Sequence, residues 1–297
     1  MASPPPPLPP LLHHHHHHAS LLSATHLTRR SFLLSTSLST ATLSAKPTAA
    51  AAPLADTTIT DRVFMDISLC ATAFRSDRTL GDTLPSPLCT DPVLLGRLVL
   101  GLYGHLVPVT VSNFKAMCTS SAYKNTLVHK IFPGQYFLAG KQGRRDKGEV
   151  VVRPPLGLAR NTETVDANAF KLTHSRAGVV SLCLSENDDE DEIKLDPDYR
   201  NVEFLITTGP GPCPELDSKN IVFGAVLEGL DVVTAIASIP TYKPGERIRQ
   251  LNDLAEFLGD ERAQNARTTW NRPLRTVYIS DCGELKVTKP SLTPSLP

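Results

Sequence analysis

The sequence predicts a mainly β protein: a closed, eight-stranded antiparallel barrel capped by two helices, with an extra helix inserted before the last strand. Three observations point there. Short apolar runs of strand length recur along the chain beyond residue 60, separated by clusters of Gly, Pro and Asp/Asn. Outside the insertion at 245–270, two stretches, 108–118 and 229–239, carry the helical spacing expected of barrel caps. That many strands would leave exposed edges unless the sheet curls round onto itself.

The elements follow in order. Residues 1–55 hold no Asp or Glu, and Arg29, Arg30 and Lys46 are their only Lys or Arg, in a background of Pro, Ser, Thr, Ala and Leu. An acid-free, Ser-rich leader has the composition of a plastid transit peptide. Thr28-Arg29-Arg30-Ser31-Phe32-Leu33-Leu34, then small and apolar residues up to the Ala-rich stretch 49–55, reads as a twin-arginine export signal with its cleavage region. Together they spell a bipartite address to the chloroplast and its thylakoid lumen. A mitochondrial presequence, or a disordered tail with a chance Arg-Arg, is the competing reading. The apolar stretch is too short and too rich in Ser and Thr to be a membrane span. The folded domain is then 56–297.

Within that domain, Arg62 to Leu69 alternates apolar and polar residues, and Gly96 to Tyr103 follows after a loop rich in Pro, Asp and Gly. Pro108 to Cys118 places Pro near the first helical position and Val111, Phe114, Met117 and Cys118 on one face. Strands are expected at 126–132, 135–140, 178–184, 202–208, 221–227 and 275–281, and a second cap helix from Gly229 to Ile239, before Pro240. Three stretches exceed a minimal barrel: an acidic loop at 186–200, a helical insertion at 245–270 and a tail at 286–297. In the insertion, Leu251, Leu254, Ala255 and Leu258 share one helical face with Phe257 beside it, a stripe expected to pack on its own domain.

Charge and cysteines exclude several classes. Lys plus Arg number 30 and Asp plus Glu 30, with pI near 7.1, so no global field draws nucleic acid and any partner is found by local shape. Cys70, Cys89, Cys118, Cys183, Cys213 and Cys282 show no C-x-x-C spacing, which excludes a zinc ribbon; a disulfide is open, its pair undetermined. Asp188 to Glu192 lack the alternating acid spacing and glycine of a calcium loop, so a solvated loop is expected and no metal.

Further residues occur in a telling order: Leu95-Gly96-Arg97, Leu102-Tyr103, Val107-Pro108, Asn113-Phe114, Tyr123-Lys124, and His129 with Ile131 and Pro133-Gly134. Gly178, Ser181, Phe204, Ile206-Thr207, Leu216-Asp217, Val222-Phe223-Gly224, Val226, Glu228-Gly229 and Asp281-Cys282-Gly283 continue it. In this order they resemble the cyclophilin family of peptidyl-prolyl cis-trans isomerases. The resemblance implies a cyclophilin-like barrel acting on proline-containing segments of client proteins.

Rotating an X-Pro bond breaks amide resonance, at a barrier of about 18–20 kcal/mol. Catalysis needs no nucleophile, metal, cofactor or proton shuttle. It needs an apolar hole for the proline ring, anchors for the flanking backbone, and a donor whose bond to the proline nitrogen strengthens as its lone pair localises. In the family that donor is an arginine, and the resemblance places Lys130 there. Lysine keeps the charge but lacks the planar fork.

The resemblance assigns the remaining groove to Gln135, Tyr136, Leu138, Cys183, Leu184, Glu203, Leu205, Glu215, Leu216 and Asn220. Gln135 and Tyr136 replace the phenylalanine and methionine that wall the proline hole, and Leu138 replaces a backbone-binding glutamine. Cys183-Leu184 replace an alanine-asparagine clamp, Glu203 a glutamine and Leu205 a pocket phenylalanine. Glu215 and Asn220 stand where the family has a tryptophan and a histidine, which argues against tight cyclosporin binding. The expectation is an isomerase of weakened activity. Its alternative is a noncatalytic binding or assembly module, in which Tyr136 or another side chain plugs the hole.

Overall fold

The computed structural model describes residues 55–73, 89, 91–141, 154–185, 199–286 and 291–292. The leader and the acidic run at 188–192 lie outside them.

In chain order come β1 (Thr58–Ile59), β2 (Asp61–Ala73), β3 (Pro92–Leu102), helix α1 (Pro108–Thr119), β4 (Val128–Phe132), β5 (Tyr136–Ala139), β6 (Val179–Leu182) and β7 (Phe204–Thr207). After them come β8 (Ile221–Glu228), α2 (Leu230–Ala237), α3 (Glu246–Phe257), α4 (Glu261–Arg267), β9 (Arg275–Leu285) and β10 (Ser291–Leu292). Eight strands form one antiparallel sheet in the order β4-β5-β7-β6-β8-β3-β2-β9.

The sheet is a curled half-barrel, not the closed barrel expected. Its two ends, β4 and β9, share no ladder; Leu127, ahead of β4, bridges Tyr278 in isolation. The cause lies in the approach to β4. Residues 121–125 form a turn with Ser121 and Asn125 in left-handed conformation, so the chain meets β9 as a turn rather than a strand. Asn125 N–H donates to Ile279 O and Ile279 N–H to Thr126 O. Farther along, Ile131 N–H donates to Asn271 O, which covers part of the edge that β4 would otherwise expose.

The insertion also differs, holding two helices where one was expected. Gly259, at φ 80°, turns the chain after α3, and the Asp260 carboxylate accepts from the Arg262 N–H at 2.9 Å to start α4. The tail contributes β10, which pairs antiparallel with β1, Thr58 against Leu292. The described cysteines include one disulfide, Cys70–Cys89, with Cα atoms 5.5 Å apart.

Alternation along β2 and β3 drives Val63, Met65, Ile67, Leu98, Leu100 and Leu102 into one core. Phe114 from α1 lies within 4.7–5.4 Å, centroid to centroid, of Phe223, Phe204 and Tyr123. The apolar face of α1 thus anchors the core, as its spacing predicts. Its N-terminus is held from afar: the Glu163 carboxylate accepts from Val109 N–H at 2.7 Å, Thr110 N–H at 2.8 Å and the Thr110 hydroxyl at 2.6 Å. Gly229, at φ 91°, opens α2; a Cβ there would run into the Arg97 carbonyl.

Candidate functional site

The register of four strands builds the site. Lys130 lies opposite Leu138, Leu138 opposite Leu205, and Leu205 opposite Ser181, so one row crosses β4, β5, β7 and β6. The neighbouring row, Ile131, Phe137, Ile206 and Val180, belongs to the core. Strand alternation therefore turns the Lys130 row to the other face of the sheet.

A second apolar cluster covers that face: Tyr136, Leu138, Cys183, Leu205, Cys213 and Leu216, with Phe132 packed at its margin. Leu138, Cys183, Leu205 and Leu216 are 0% exposed and Tyr136 4%. The Tyr136 ring stacks on Phe132, centroids 4.5 Å apart and planes 27° from parallel. Side chains thus pack closely on the face of the sheet that carries the Lys130 row. Lys130 itself is half-buried.

The remaining groove residues are dispersed. Gln135 is exposed in the β4–β5 turn, its carbonyl accepting from Thr208 N–H at 2.8 Å, and Glu215 is exposed on the single helical turn Pro214–Leu216. Leu184 packs against the main core instead of the second cluster. Asn220 is fully buried and staples its own chain: Oδ1 accepts from Leu184 and Ser185 N–H, while Nδ2 donates to Ser185 Oγ and Leu216 O. Glu203, 1% exposed, brings Oε1 within 2.9 Å of His129 Nε2. The two side chains are in contact without an aligned hydrogen bond.

One arrangement escaped the sequence reading. His174 Nδ1 lies 2.8 Å from Asp217 Oδ1, and its Nε2 lies 2.8 Å from the hydroxyl of Ser181. The order acid, imidazole, hydroxyl is that of a nucleophilic triad. Yet His174 and Ser181 are 0% exposed, so no substrate reaches the hydroxyl. The trio instead clamps the Pro214–Leu216 turn, and with it Leu216, onto the sheet. Ser181 and Asp217 are visible in the sequence, but 43 residues separate His174 from Asp217 and no fixed spacing joins them.

Burial pushes the His174 pKa below 6.5, with Asp217 pulling the other way. Below pH 6.5 the unfolded chain takes up a proton that the folded imidazole resists, so stability is full above that pH and falls as pH drops toward the folded pKa. Urea midpoints should therefore decline between about pH 7 and 5, and His174→Gln should flatten part of that decline. Among the described residues, no cluster of three or more His, Cys, Asp or Glu could hold a metal ion.

Residues 89–255 match the family model described as cyclophilin type peptidyl-prolyl cis-trans isomerase/CLD. The chain belongs to the cyclophilin family. That family is the cyclophilin-type peptidyl-prolyl cis-trans isomerases, a family of enzymes. Among its relatives is an Arabidopsis thaliana protein named peptidyl-prolyl cis-trans isomerase CYP28, chloroplastic, 70% identical over 251 residues, covering 82% of this chain and 88% of that one. A second Arabidopsis cyclophilin, named peptidyl-prolyl cis-trans isomerase CYP21-1, is 29% identical over 61% of this chain and 67% of its own length. A Mus musculus relative named probable inactive peptidyl-prolyl cis-trans isomerase-like 6 is 27% identical over 58% of this chain and 51% of its own. The cyclophilin half-barrel described above is the frame on which these resemblances sit.

Proposed function

We propose that this cyclophilin turns over X-Pro bonds weakly, on the face of the sheet that carries Lys130, with the Lys130 ammonium as the donor to the proline nitrogen. The observation behind the weakening is the packed second cluster, in which Leu138, Leu205 and Leu216 are 0% exposed beneath a stacked Tyr136. A proline ring enters only where that cluster parts, so binding energy goes into opening the site rather than into the transition state. The clients are proline-containing segments of other proteins, and the exposed Glu215 gives cyclosporin no aromatic wall.

The test is catalysed isomerisation of an X-Pro peptide panel by the wild type and Lys130→Ala. Wild-type turnover that falls about tenfold or more in the variant supports the donor role. The same packing favours a second reading, a binding module without turnover. Equal rates with and without protein, for both chains, would select it.

We also infer that 1–55 is a leader ahead of a 56–297 domain that works in the chloroplast, in the thylakoid lumen. The acid-free composition, Arg29-Arg30 and the chloroplastic relative support this, and the Cys70–Cys89 disulfide fits a compartment where thiols oxidise. Import into isolated chloroplasts should deliver a shortened chain to the lumen, whereas Arg29→Lys with Arg30→Lys should leave it in the stroma.

A further inference from the structure

The insertion between α2 and β9 does not pack on its own domain by the stripe its sequence offers, contrary to the expectation. Leu251, Leu254, Phe257 and Leu258 are 62%, 56%, 85% and 74% exposed, and no residue of α3 is buried. The polar side of the helix is tied instead: Arg267 of α4 lies 2.7 Å from Asp253 and 2.6 Å from Glu256. What joins the insertion to the sheet is its pair of ends.

Those ends are pinned to each other. Tyr242 N–H donates to Arg272 O at 2.8 Å, Asn271 N–H to Tyr242 O at 2.9 Å and Leu274 N–H to Pro240 O at 2.8 Å, while Thr241 bridges Pro273. Within this knot Asn271 stands at φ 60°, the left-handed region that Gly and Asn enter more readily than other residues. The same turn leaves the Asn271 carbonyl 2.8 Å from the N–H of Ile131, which it accepts.

Ile131 directly follows Lys130 in β4. That strand ends the sheet, so β5 alone pairs with it, and the register shifts between Val128 and Lys130. A strand paired on one side, next to a bulge, is a loose mount for a donor that must meet the proline nitrogen. Among the described residues, the backbone bond that reaches the bare side of β4 is the one from Ile131 to Asn271. It fixes the main chain one residue from Lys130, where the sheet does not.

We propose that the insertion braces the strand that carries Lys130, with Asn271 as a positioning residue that acts through Ile131. The role depends on Lys130 being the donor proposed above. Asn271 itself touches no substrate; its carbonyl sets where the Lys130 main chain stands while the amide twists. Its effect should fall on kcat, with KM near the wild-type value.

The experiment is X-Pro peptide kinetics with the full chain, comparing Asn271→Gly and Asn271→Val, each alone and combined with Lys130→Ala. Glycine accepts φ 60° and leaves the carbonyl in place, so Asn271→Gly should retain most of the wild-type kcat. A β-branched residue is strained there, and Asn271→Val should lower kcat about tenfold. In the Lys130→Ala background Asn271→Val should cost less than about twofold, because residues that act through one group are not additive. Hydrogen exchange follows the bond itself: the Ile131 amide should exchange slowly in the wild type and in Asn271→Gly, and faster in Asn271→Val.

Three results would overturn the brace while leaving Lys130 as donor. Lys130→Ala lowers kcat but Asn271→Val does not; Asn271→Val costs as much without the ammonium as with it; or the wild-type Ile131 amide exchanges as fast as an exposed one, which decides the matter even if a variant fails to fold. Absence of wild-type turnover, or a rate unchanged in Lys130→Ala, would instead sink the donor reading and the brace together.

Discussion

Glu163→Ala is expected to lower the unfolding free energy by about 3 kcal/mol. Helix α1 begins at Pro108 with no side-chain cap of its own and no acid in its first turn. Its Val109 and Thr110 N–H groups are satisfied by one carboxylate, 54 and 53 residues farther along the chain. Deletion leaves the buried Thr110 N–H and the part-buried Val109 N–H without this acceptor, at about 1–3 kcal/mol. It also removes a negative charge from a helix N-terminus, worth about 0.3–2 kcal/mol. Glu163→Gln keeps an acceptor oxygen and should lose roughly half as much. Urea denaturation of the three proteins measures the series, and equal midpoints would refute it.

Lys130→Arg should raise kcat/KM for X-Pro peptides by about 10- to 100-fold. The ammonium offers a point charge on a flexible stem, whereas the guanidinium fork can hold the proline nitrogen and a neighbouring carbonyl together. That interaction matures only as the amide twists, so the gain should fall on kcat while KM stays near its original value. Peptide kinetics with separate kcat and KM decide it. An unchanged rate would move the limitation to the packed cluster around Tyr136 and Leu138.

Strand positions were legible because alternation in Arg62 to Leu69, and Gly or Pro at the breaks, are local signals. Closure was not, because whether β4 meets β9 depends on the turn at 121–125 and on Asn271 arriving from the insertion. The site divides the same way. Strand period tells which residues of one strand share a face, but the row of Lys130, Leu138 and Leu205 across three strands comes from their pairing. The burial of Leu138 and Leu205 in one cluster with Tyr136 goes with the ring stack on Phe132 and a turn clamped by His174, a contact that joins distant parts of the chain. The apolar stripe of α3 was legible too, but its direction was not, since periodicity cannot tell inside from outside. Arg267 supplied that answer.

The pairing of β2 orders events in time. Its neighbours are β3, nearby in sequence, and β9, where Val63 meets Glu284. During synthesis the first long strand therefore waits beside β3 with one edge bare until almost the whole domain has left the ribosome. Such distant pairings make assembly slow. A chain in that state is still threadable, so any machinery that must pass it through a narrow pore has the length of translation in which to engage it.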